Sequence, residues 1–432
     1  MHRPLANTLH KRLSFGCLFS PPTALRYPYR YCHMVPDIRQ KYNQRFTQAA
    51  YEALLARIEQ DCPGQLDFRV AETPVFMDRA LKEKLVAAGE YVVGQIMAPG
   101  FKARTDGAIP ARCQVPGERA HTEFLAVDYA ICRNEATGEL EPKMIELQGF
   151  PSLFAWQQYF SATQPEYLYV PPNYSYFFDP AMNGQSYLRL LKQTICGSYA
   201  PEDVVLLEIE PHKQKTRVDF YCTQKLTGVD TVCLTQLQVE GRQVFRTLPD
   251  GRRRQVKRIY NRVIFDELLQ RTDLQTAFDF GTDYDVEWAG HPAWFFRISK
   301  YILPMLDHPS VPKTYRMTEF TPSEADLPKY VLKPLFSFAG QGVVFDVTPA
   351  DLAAVPDPEN WILMEKVQYA PALQSPVGEV KVEIRLLYLW PEGDARPTLC
   401  TNLVRLSQGS MMGVRYNKDK TWVGGNTAYL EN

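Results

Sequence analysis

The segment "EVKVEIRLLYLW", which starts at residue 379, alternates between charged and apolar residues. Because successive side chains of a strand point to opposite faces, this pattern predicts a strand with one apolar and one charged face. The apolar positions are Val380, Val382, Ile384 and Leu386, and the charged positions are Lys381, Glu383 and Arg385. The apolar face requires a core. The charged face either lies in solvent, as in many antiparallel sheets, or lines a site.

A second strand, "YVLKPLF", leads into the loop "SFAGQG" and a further strand-like run, "GVVFDV". Lys333 shares a strand face with Val331 and lies beside the loop. Gly340 and Gly342 would let backbone N–H groups approach an anion, to which the lysine would add a point charge. The alternative is an ordinary hairpin, since glycines also mark turns. The P-loop pattern is absent.

The next apolar run, "WILMEKVQYAP", ends with Glu365 and Lys366 just before a break that contains a proline. Polar groups at the end of a strand can hydrogen-bond the edge of an adenine or a ribose. The run therefore predicts a strand whose end belongs to a binding site.

Carboxylates also appear on a predicted hairpin formed by "EFLAVDYAIC" (123–132) and "KMIELQG" (143–149). Asp128 lies among apolar residues, and Glu146 and Gln148 share one strand face. Oxygen donors on adjacent rigid strands suit Mg²⁺. Since strand register cannot be deduced from the sequence, their convergence is a hypothesis.

Elsewhere the chain alternates helices and strands. Apolar spacing predicts helices within 45–60, 77–97 and 291–306 and a short helix at "TPADLAAV" that begins after Thr348. The order strand, helix, strand over 204–235 predicts a parallel sheet covered by helices, and "RIYNRVIFDELLQR" a strand followed by a helix. These patterns predict an α/β (α+β) protein.

Composition excludes several classes of protein. The chain has 432 residues, of which 45% are hydrophobic and 22% charged, so two or three folded domains are expected rather than a disordered chain. The net charge of −1 offers no field for nucleic acid or an anionic membrane. The nine cysteines form no C-x-x-C pair, which is typical of reduced thiols in a cytoplasmic protein.

The first 36 residues contain five Arg and Lys residues and no acidic residue. This composition is that of a transit-type leader, or of a tail that is disordered or precedes a true start at Met34. We favour the tail, because its apolar stretch "FGCLF" is shorter than a secretory core.

An aromatic segment follows the second hairpin strand, from 153 to 178, and contains Trp156, Tyr159, Tyr167, Tyr169, Tyr174 and Tyr176. Aromatic side chains with polar tips suit either a substrate pocket or a core. We keep both interpretations.

The lysine strand, the glycine loop, "MEKV" and "VEIR" in this order resemble the nucleotide-binding half of an ATP-grasp ligase. "VDYAIC…KMIELQGFPSL" is similar to the metal-binding end of that fold, yet it precedes the other half by about two hundred residues. This order resembles the circularly permuted ATP-grasp families, such as the glutathionylspermidine synthase-like proteins. The closing "LVRLSQGSMMGVRYNKDKTWVGGN" also resembles the tail of permuted members.

The resemblance implies a role for each matching residue. ATP would be bound by Lys300, Lys333, the loop residues Gly340, Gln341 and Gly342, and the adenine-reading hinge Glu365, Lys366 and Val367. Mg²⁺ would be held by Asp128, Glu146 and Gln148, and the catalytic residues near the transferred phosphoryl group would be Arg385 and Arg405. Gln148 departs from the family pattern, which has Asn at this position. The amide oxygen of Gln can still coordinate a metal ion, but its extra methylene group shifts that oxygen and so affects the metal geometry and the activity.

The predicted protein is an ATP-dependent ligase that joins a carboxylate to an amine or a thiol through an acyl phosphate. Its partners would be small carboxylate and amine substrates, without nucleic acid or membrane. The alternative is an inactive ATP-grasp-like nucleotide-binding or regulatory protein. The expected division is a tail (1–36), a helical segment with the metal-binding strands (37–185), a Rossmann-like pre-ATP-grasp domain (186–310) and the ATP-binding half (311–432).

Overall fold

The computed structural model describes residues 33–336, 342–409, 412 and 417–432. Within them the α-helices are α1 (Pro36–Arg45), α2 (Gln48–Asp61), α3 (Arg79–Met97), α4 (Phe101–Thr105), α5 (Phe154–Thr163), α6 (Gly184–Cys196), α7 (Arg217–Thr227), α8 (Phe265–Gln270), α9 (Ala293–Arg297) and α10 (Pro349–Ala353). The predicted N-terminal tail falls almost entirely outside these residues.

The strands of the same residues form five sheets. They are β1 (Val75–Met77), β2 (Phe124–Arg133), β3 (Leu140–Gln148), β4 (Tyr174–Ser175), β5 (Val204–Glu208), β6 (Asp230–Cys233), β7 (Gln238–Glu240), β8 (Gln243–Thr247), β9 (Arg253–Val256), β10 (Arg258–Asn261), β11 (Glu287–Ala289), β12 (Thr314–Arg316), β13 (Tyr330–Pro334), β14 (Trp361–Glu365), β15 (Leu373–Ser375), β16 (Gly378–Leu389), β17 (Thr398–Ser407), β18 (Gly424–Asn426) and β19 (Ala428–Glu431).

The largest sheet has the order β18-β17-β16-β2-β3, with β15 paired to β16, and all its pairs are antiparallel. The alternating segment "EVKVEIRLLYLW" forms most of β16, at the centre of this sheet. The predicted hairpin is confirmed as β2–β3, and it pairs with β16 although more than two hundred residues separate them. The sheet thus joins the two regions that carry the predicted site residues.

One face of this sheet is the apolar core. Val382, Ile384 and Leu386 are fully buried and pack with residues of β2 and of α3. Helix α3 begins where Asp78 accepts a hydrogen bond from the Leu81 N–H at 2.8 Å. The predicted helices within 45–60 and 77–97 are confirmed as α2 and α3.

The predicted parallel sheet is also present. It has the order β11-β10-β5-β6 with all pairs parallel, and α7 connects β5 to β6. The strand β10 runs into α8, as its sequence predicts. Parallel strands need such crossover helices, which explains why the sequence pattern indicated this sheet.

A small antiparallel sheet, β12-β14-β13, carries Lys333 on β13. The prediction of a strand at "GVVFDV" is wrong, since within the described residues only Val344 pairs, with Leu332. Gly342 turns the chain with φ +72°, and a Cβ there would lie 3.1 Å from Pro334 Cγ. Helix α10 already begins after its cap Thr348, so too few residues remain for a strand.

The prediction of one helix over 291–306 is only partly right. Helix α9 ends at Arg297, and a separate 3₁₀ helix covers Lys300–Met305. Ser299 is extended, and its hydroxyl accepts a hydrogen bond from the Tyr301 N–H at 3.1 Å, which starts a new helical element. This break presents Lys300 at the first position of the second element. Among the described residues, no helix is long and apolar enough to cross a membrane.

Candidate functional site

The charged face of the large sheet is covered by other parts of the protein. The pairing places Glu146, Asp128 and Arg385 directly opposite one another on β3, β2 and β16. Residues directly opposite in an antiparallel sheet share a face. The side chains of Asp128, Glu146 and Gln148 therefore lie on the same face of the hairpin, as the hypothesis of convergence requires. The alternative that the charged face of β16 lies in solvent is wrong, since Glu383 is 2% exposed.

Asp128 lies at the centre of an ion network. Arg385 donates to both of its oxygens, from Nε to Oδ1 at 2.5 Å and from Nη2 to Oδ2 at 2.6 Å. Arg405 Nη2 donates to Oδ2 at 3.1 Å and also binds Glu383. Asp128 is 1% exposed, so the two guanidinium groups replace the water that this carboxylate loses on folding.

A β-bulge in β3 provides a contact for Lys333 beside this ion network. Asp128 pairs with Glu146, but the next residue, Tyr129, pairs with Met144, which leaves Ile145 as an extra residue in β3. The Lys333 ammonium donates to the Ile145 carbonyl oxygen at 3.2 Å and contacts Met364 Sδ at 3.2 Å. The bulge therefore provides the backbone oxygen that orients this lysine.

Lys300 is the second lysine of the site and is 7% exposed. Burial lowers the pKa of Lys300, and the charges of Glu146 and Asp266 act in the opposite direction. Burial also lowers the pKa of Lys333, to about 8, although Glu146 opposes the shift. For Glu146, burial alone would raise the pKa, but Lys300, Arg405, Arg385 and Lys333 together lower it to about 2. Glu146 is therefore ionised at neutral pH and faces both lysines.

Four cationic and three carboxylate side chains make up this cluster, and Asp266 adds a fourth carboxylate beside Lys300, so the charges balance when all are ionised. The members are Lys300, Lys333, Arg385, Arg405, Asp128, Glu146 and Glu383. In a partly buried site, four cations from separate elements that face one carboxylate, Glu146, favour a multiply charged anion. The residues fit the phosphates of a nucleotide.

The predicted magnesium ligands fit a metal ion less well. Both oxygens of Asp128 accept from guanidinium groups, and the Gln148 Nε2 group donates to Glu146 Oε1 at 2.9 Å. Within the described parts of the chain, no group of three or more His, Cys, Asp and Glu side chains is arranged to hold a metal ion. In this arrangement Asp128 and Glu146 belong to the ion network and Gln148 is bonded to Glu146, and their role as magnesium ligands stays a prediction.

The other predicted ATP-binding residues lie around the small sheet. Glu365 ends β14, and its backbone N–H donates to the Lys313 carbonyl oxygen at 2.9 Å. Lys366 forms an ion pair with Asp346 at 3.0 Å, and Val367 follows it in the same connection. Gly342 forms the turn described above. Gly340 and Gln341 lie outside the described residues.

Three residues of the site were not predicted from the sequence as site residues: Glu383, Ser152 and Tyr369. Glu383 is 2% exposed and accepts a hydrogen bond from the Tyr369 hydroxyl at 2.7 Å. Ser152 Oγ accepts from Arg385 Nη1 at 2.8 Å. Glu383 shares the face of Arg385 in the period-2 pattern, which was a usable signal. Tyr369 carried none, because its contact depends on the tertiary fold.

The aromatic segment packs in the core and also lines cavities, and its role in a substrate pocket stays a prediction. Trp156 packs against Phe160 and lines a cavity of about 190 Å³ that Arg405 also lines. Tyr159 donates to Asp61 Oδ2 at 2.8 Å, away from the ion network. Tyr174 and Tyr176 line a different, more open cavity.

Comparisons with known proteins bear on the fold. No family model matches the sequence, and no curated protein matches it. Among solved structures, the chain is similar to a glutathione synthetase-like effector from Globodera pallida in its apo form, with 12% identity, a TM-score of 0.53 and coverage of 92% of this chain and 100% of that chain. A putative gamma-glutamylcysteine synthetase from Methylobacillus flagellatus KT is 12% identical over 78% of this chain and 85% of that chain, but its TM-score of 0.34 carries no argument.

The first likeness shows the fold. The protein has a mixed α/β fold similar to that of the glutathione synthetase-like effector. The circular order of its motifs stays a prediction.

Proposed function

We propose that this protein is an ATP-dependent ligase that joins a carboxylate to an amine or a thiol through an acyl phosphate. One observation carries the proposal. Two lysines, one buried (Lys300) and one partly buried (Lys333), and two arginines, drawn from the 3₁₀ helix, β13, β16 and β17, converge on Glu146. These four cations suit the phosphates of a nucleoside triphosphate, and the ATP-grasp-like fold is consistent with that ligand.

Each residue has a separate part in the proposed reaction. Lys333 and Lys300 would bind the phosphates, and the bulge carbonyl of Ile145 would orient Lys333. Arg385 and Arg405 would stabilise the charge that develops during phosphoryl and acyl transfer, since fixed cations in a dry site lower the barrier for such steps. Bound ATP would supply the phosphoryl group that activates the substrate carboxylate. Glu365, Lys366 and Val367 would contact the base.

Magnesium belongs to the proposal only as a companion of the nucleotide. Glu146 is the ionised carboxylate nearest to the lysines, and Asp128 and Gln148 complete the predicted set. Because Asp128 already binds two guanidinium groups, we derive no step through a metal ion. A cytoplasmic location, the circular permutation and the domain boundaries at 36, 185 and 310 are further parts of the proposal.

The second candidate is a nucleotide-binding or regulatory protein without ligase activity. The same contacts between Asp128 and the arginines favour it, because an arginine pair in place of a metal ion leaves the nucleotide bound but not activated. The replacement of the family's Asn by Gln148 points in the same direction.

Purified protein, Mg²⁺ and ATP separate the two candidates. The protein is incubated with pools of amino acids, peptides, polyamines and simple carboxylic acids, and ADP release is followed. A ligase releases ADP only with one pool, and the product gains the mass of the joined substrates. Nucleotide binding without turnover in every pool supports the second candidate and overturns the first.

A further inference from the structure

A cavity of about 190 Å³ lies next to the ion network on the same face of the large sheet. On β16, Arg385 pairs with Leu403 of β17, and Glu383 pairs with Arg405 of β17. Arg405 pairs in turn with Gly425 of β18. Leu403, Arg405 and Gly425 all line the cavity. Because neighbouring strands lie about 4.8 Å apart, the cavity begins about 5 to 10 Å from the Arg385–Asp128 pair.

The wall of this cavity is mostly apolar. Phe68, Trp156, Leu403 and Leu406 line it, and the Phe68 and Trp156 rings meet edge to face at 5.8 Å. A dry cavity of about 150 Å³ accepts a benzene molecule. The space therefore suits one aromatic ring or a branched aliphatic group of similar size.

The amide groups in the wall already have partners within the protein. The Asn426 side chain donates to the Ala71 carbonyl oxygen at 2.9 Å and accepts from Gln164 Nε2 at 2.9 Å. Gln157 Nε2 donates to Thr427 Oγ1 at 2.6 Å. These amide N–H groups are thus already used within the protein, which disfavours a polar occupant.

Among the described residues that line the cavity, the charged ones are two arginines and none is acidic. Arg405 binds Asp128 and Glu383 through Nη2, while its Nε has no hydrogen-bond partner in the described parts of the chain. Its side chain is 37% exposed, so part of it remains open to a ligand. Arg69, the other arginine, pairs with Glu72. A cationic occupant such as a polyamine would meet no counter-charge in this wall.

We propose that this cavity holds the apolar body of the acid substrate, with the substrate carboxylate directed at Arg405 and the ion network. The substrate class is a small carboxylic acid that carries one ring or a branched aliphatic group, not a polyamine. This assignment rests on the proposed ligase function for the fate of the carboxylate, but binding of the acid does not require that function.

Titration calorimetry without nucleotide tests the assignment with four probes: 3-phenylpropionate, its neutral amide, acetate and spermidine. We expect 3-phenylpropionate to bind and each other probe to bind at least about tenfold more weakly, since the first alone has both the ring and the carboxylate. Failure of 3-phenylpropionate to bind, or tighter binding of spermidine, overturns the assignment.

A space-filling variant tests the position. A Cβ at Gly425 would lie 3.7 Å from the Phe68 ring, in ordinary contact, so a side chain there fits without displacing the backbone. Gly425→Ala should weaken 3-phenylpropionate binding and Gly425→Val should weaken it further, by at least about tenfold. Gly94→Val is the matched control, because a Cβ at Gly94 has no atom within 4 Å. Unchanged affinity in both Gly425 variants overturns the assignment, and the alanine variant decides if the valine variant does not fold.

The two proposals fail in different ways. If 3-phenylpropionate binds as expected but no acid elicits ADP release, the cavity assignment stands and the ligase proposal is wrong. If ADP release requires an acid without an apolar body, the ligase proposal stands and the cavity assignment is wrong.

Discussion

Arg385 and Asp128 lie directly opposite each other on β16 and β2 and are joined by two parallel hydrogen bonds of 2.5 and 2.6 Å. Their positions in the chain are 257 residues apart. This pair connects the two regions that carry the predicted site. It also places a guanidinium group against Asp128, the carboxylate that the resemblance to ATP-grasp ligases implies as a metal ligand.

Replacement of Asp128 should destabilise the protein. Asp128→Asn leaves two guanidinium groups with less compensating charge in a buried site, and loss of one partner of a buried ion pair costs about 3 to 5 kcal/mol. Urea denaturation measures the free energy of unfolding. The control is Asp326→Asn, which removes an exposed ion pair with Lys329 and should change the free energy of unfolding far less, because solvent screens such a pair. Equal effects of the two changes would contradict the buried network.

Lys333→Ala should weaken nucleotide binding. A hydrogen bond to a charged group contributes about 1.5 to 3 kcal/mol, so the dissociation constant should rise by about tenfold to a hundredfold. The measurement is calorimetric titration with ATP. Lys329→Ala, at an exposed lysine four positions earlier, should leave the constant unchanged. Normal ATP binding by Lys333→Ala would show that the nucleotide binds elsewhere.

Nucleotide affinity should fall as the pH rises from about 7 to 9. Lys333 is charged below its pKa of about 8 and neutral above it, so the free protein loses a phosphate-binding cation over this range. In Lys333→Arg the guanidinium stays charged, and the loss of affinity should disappear. ATP titrations at several pH values measure both. A parallel pH profile for the two proteins would assign the titration to another group.

Gln148→Asn should increase ADP release if the amide position limits activity. The shorter side chain withdraws the amide from Glu146, to which Gln148 donates at 2.9 Å, and restores the residue that the family pattern has here. We expect about tenfold faster release, equivalent to about 1.4 kcal/mol of barrier, with the responsive substrate pool. The exposed Gln193→Asn on α6 is the control. An unchanged rate would mean that Gln148 does not limit the reaction.

Two neighbouring glycines should respond differently to alanine. Gly424 has φ +126°, and a Cβ there would lie 2.4 Å from the Arg69 carbonyl oxygen, whereas the nearest atom to a Cβ at Gly425 is 3.7 Å away. Gly424→Ala should lower the free energy of unfolding by about 3 kcal/mol, and Gly425→Ala by less than about 1 kcal/mol. Thermal or urea unfolding compares them. Similar losses of unfolding free energy in the two variants would contradict the close contact between Gly424 of β18 and the Arg69 carbonyl oxygen.

Local patterns were enough to predict several elements of the fold. The alternation of β16, the hairpin β2–β3 and the order β5, α7, β6 depend on periodicity along the chain, which each element expresses by itself. The predicted strand at 342–347 failed because periodicity does not report the turn at Gly342 or the early start of α10. The helix over 291–306 failed for a similar local reason, since the Ser299 cap restarts it.

The sequence by itself determined which side chains are charged on each strand face and where lysine and glycine flank a loop. Only the tertiary structure decided the partners of those charges. The register between β2, β3 and β16 brings Asp128, Glu146 and Arg385 into one row, and the bulge at Ile145 brings Lys333 to them. Register depends on burial and pairing over long distances in the chain, and a shift of one residue would send each side chain to the opposite face. For this reason Asp128, which the motifs predict as a metal ligand, binds two arginines in the folded protein, while metal binding by Asp128, Glu146 and Gln148 stays a prediction.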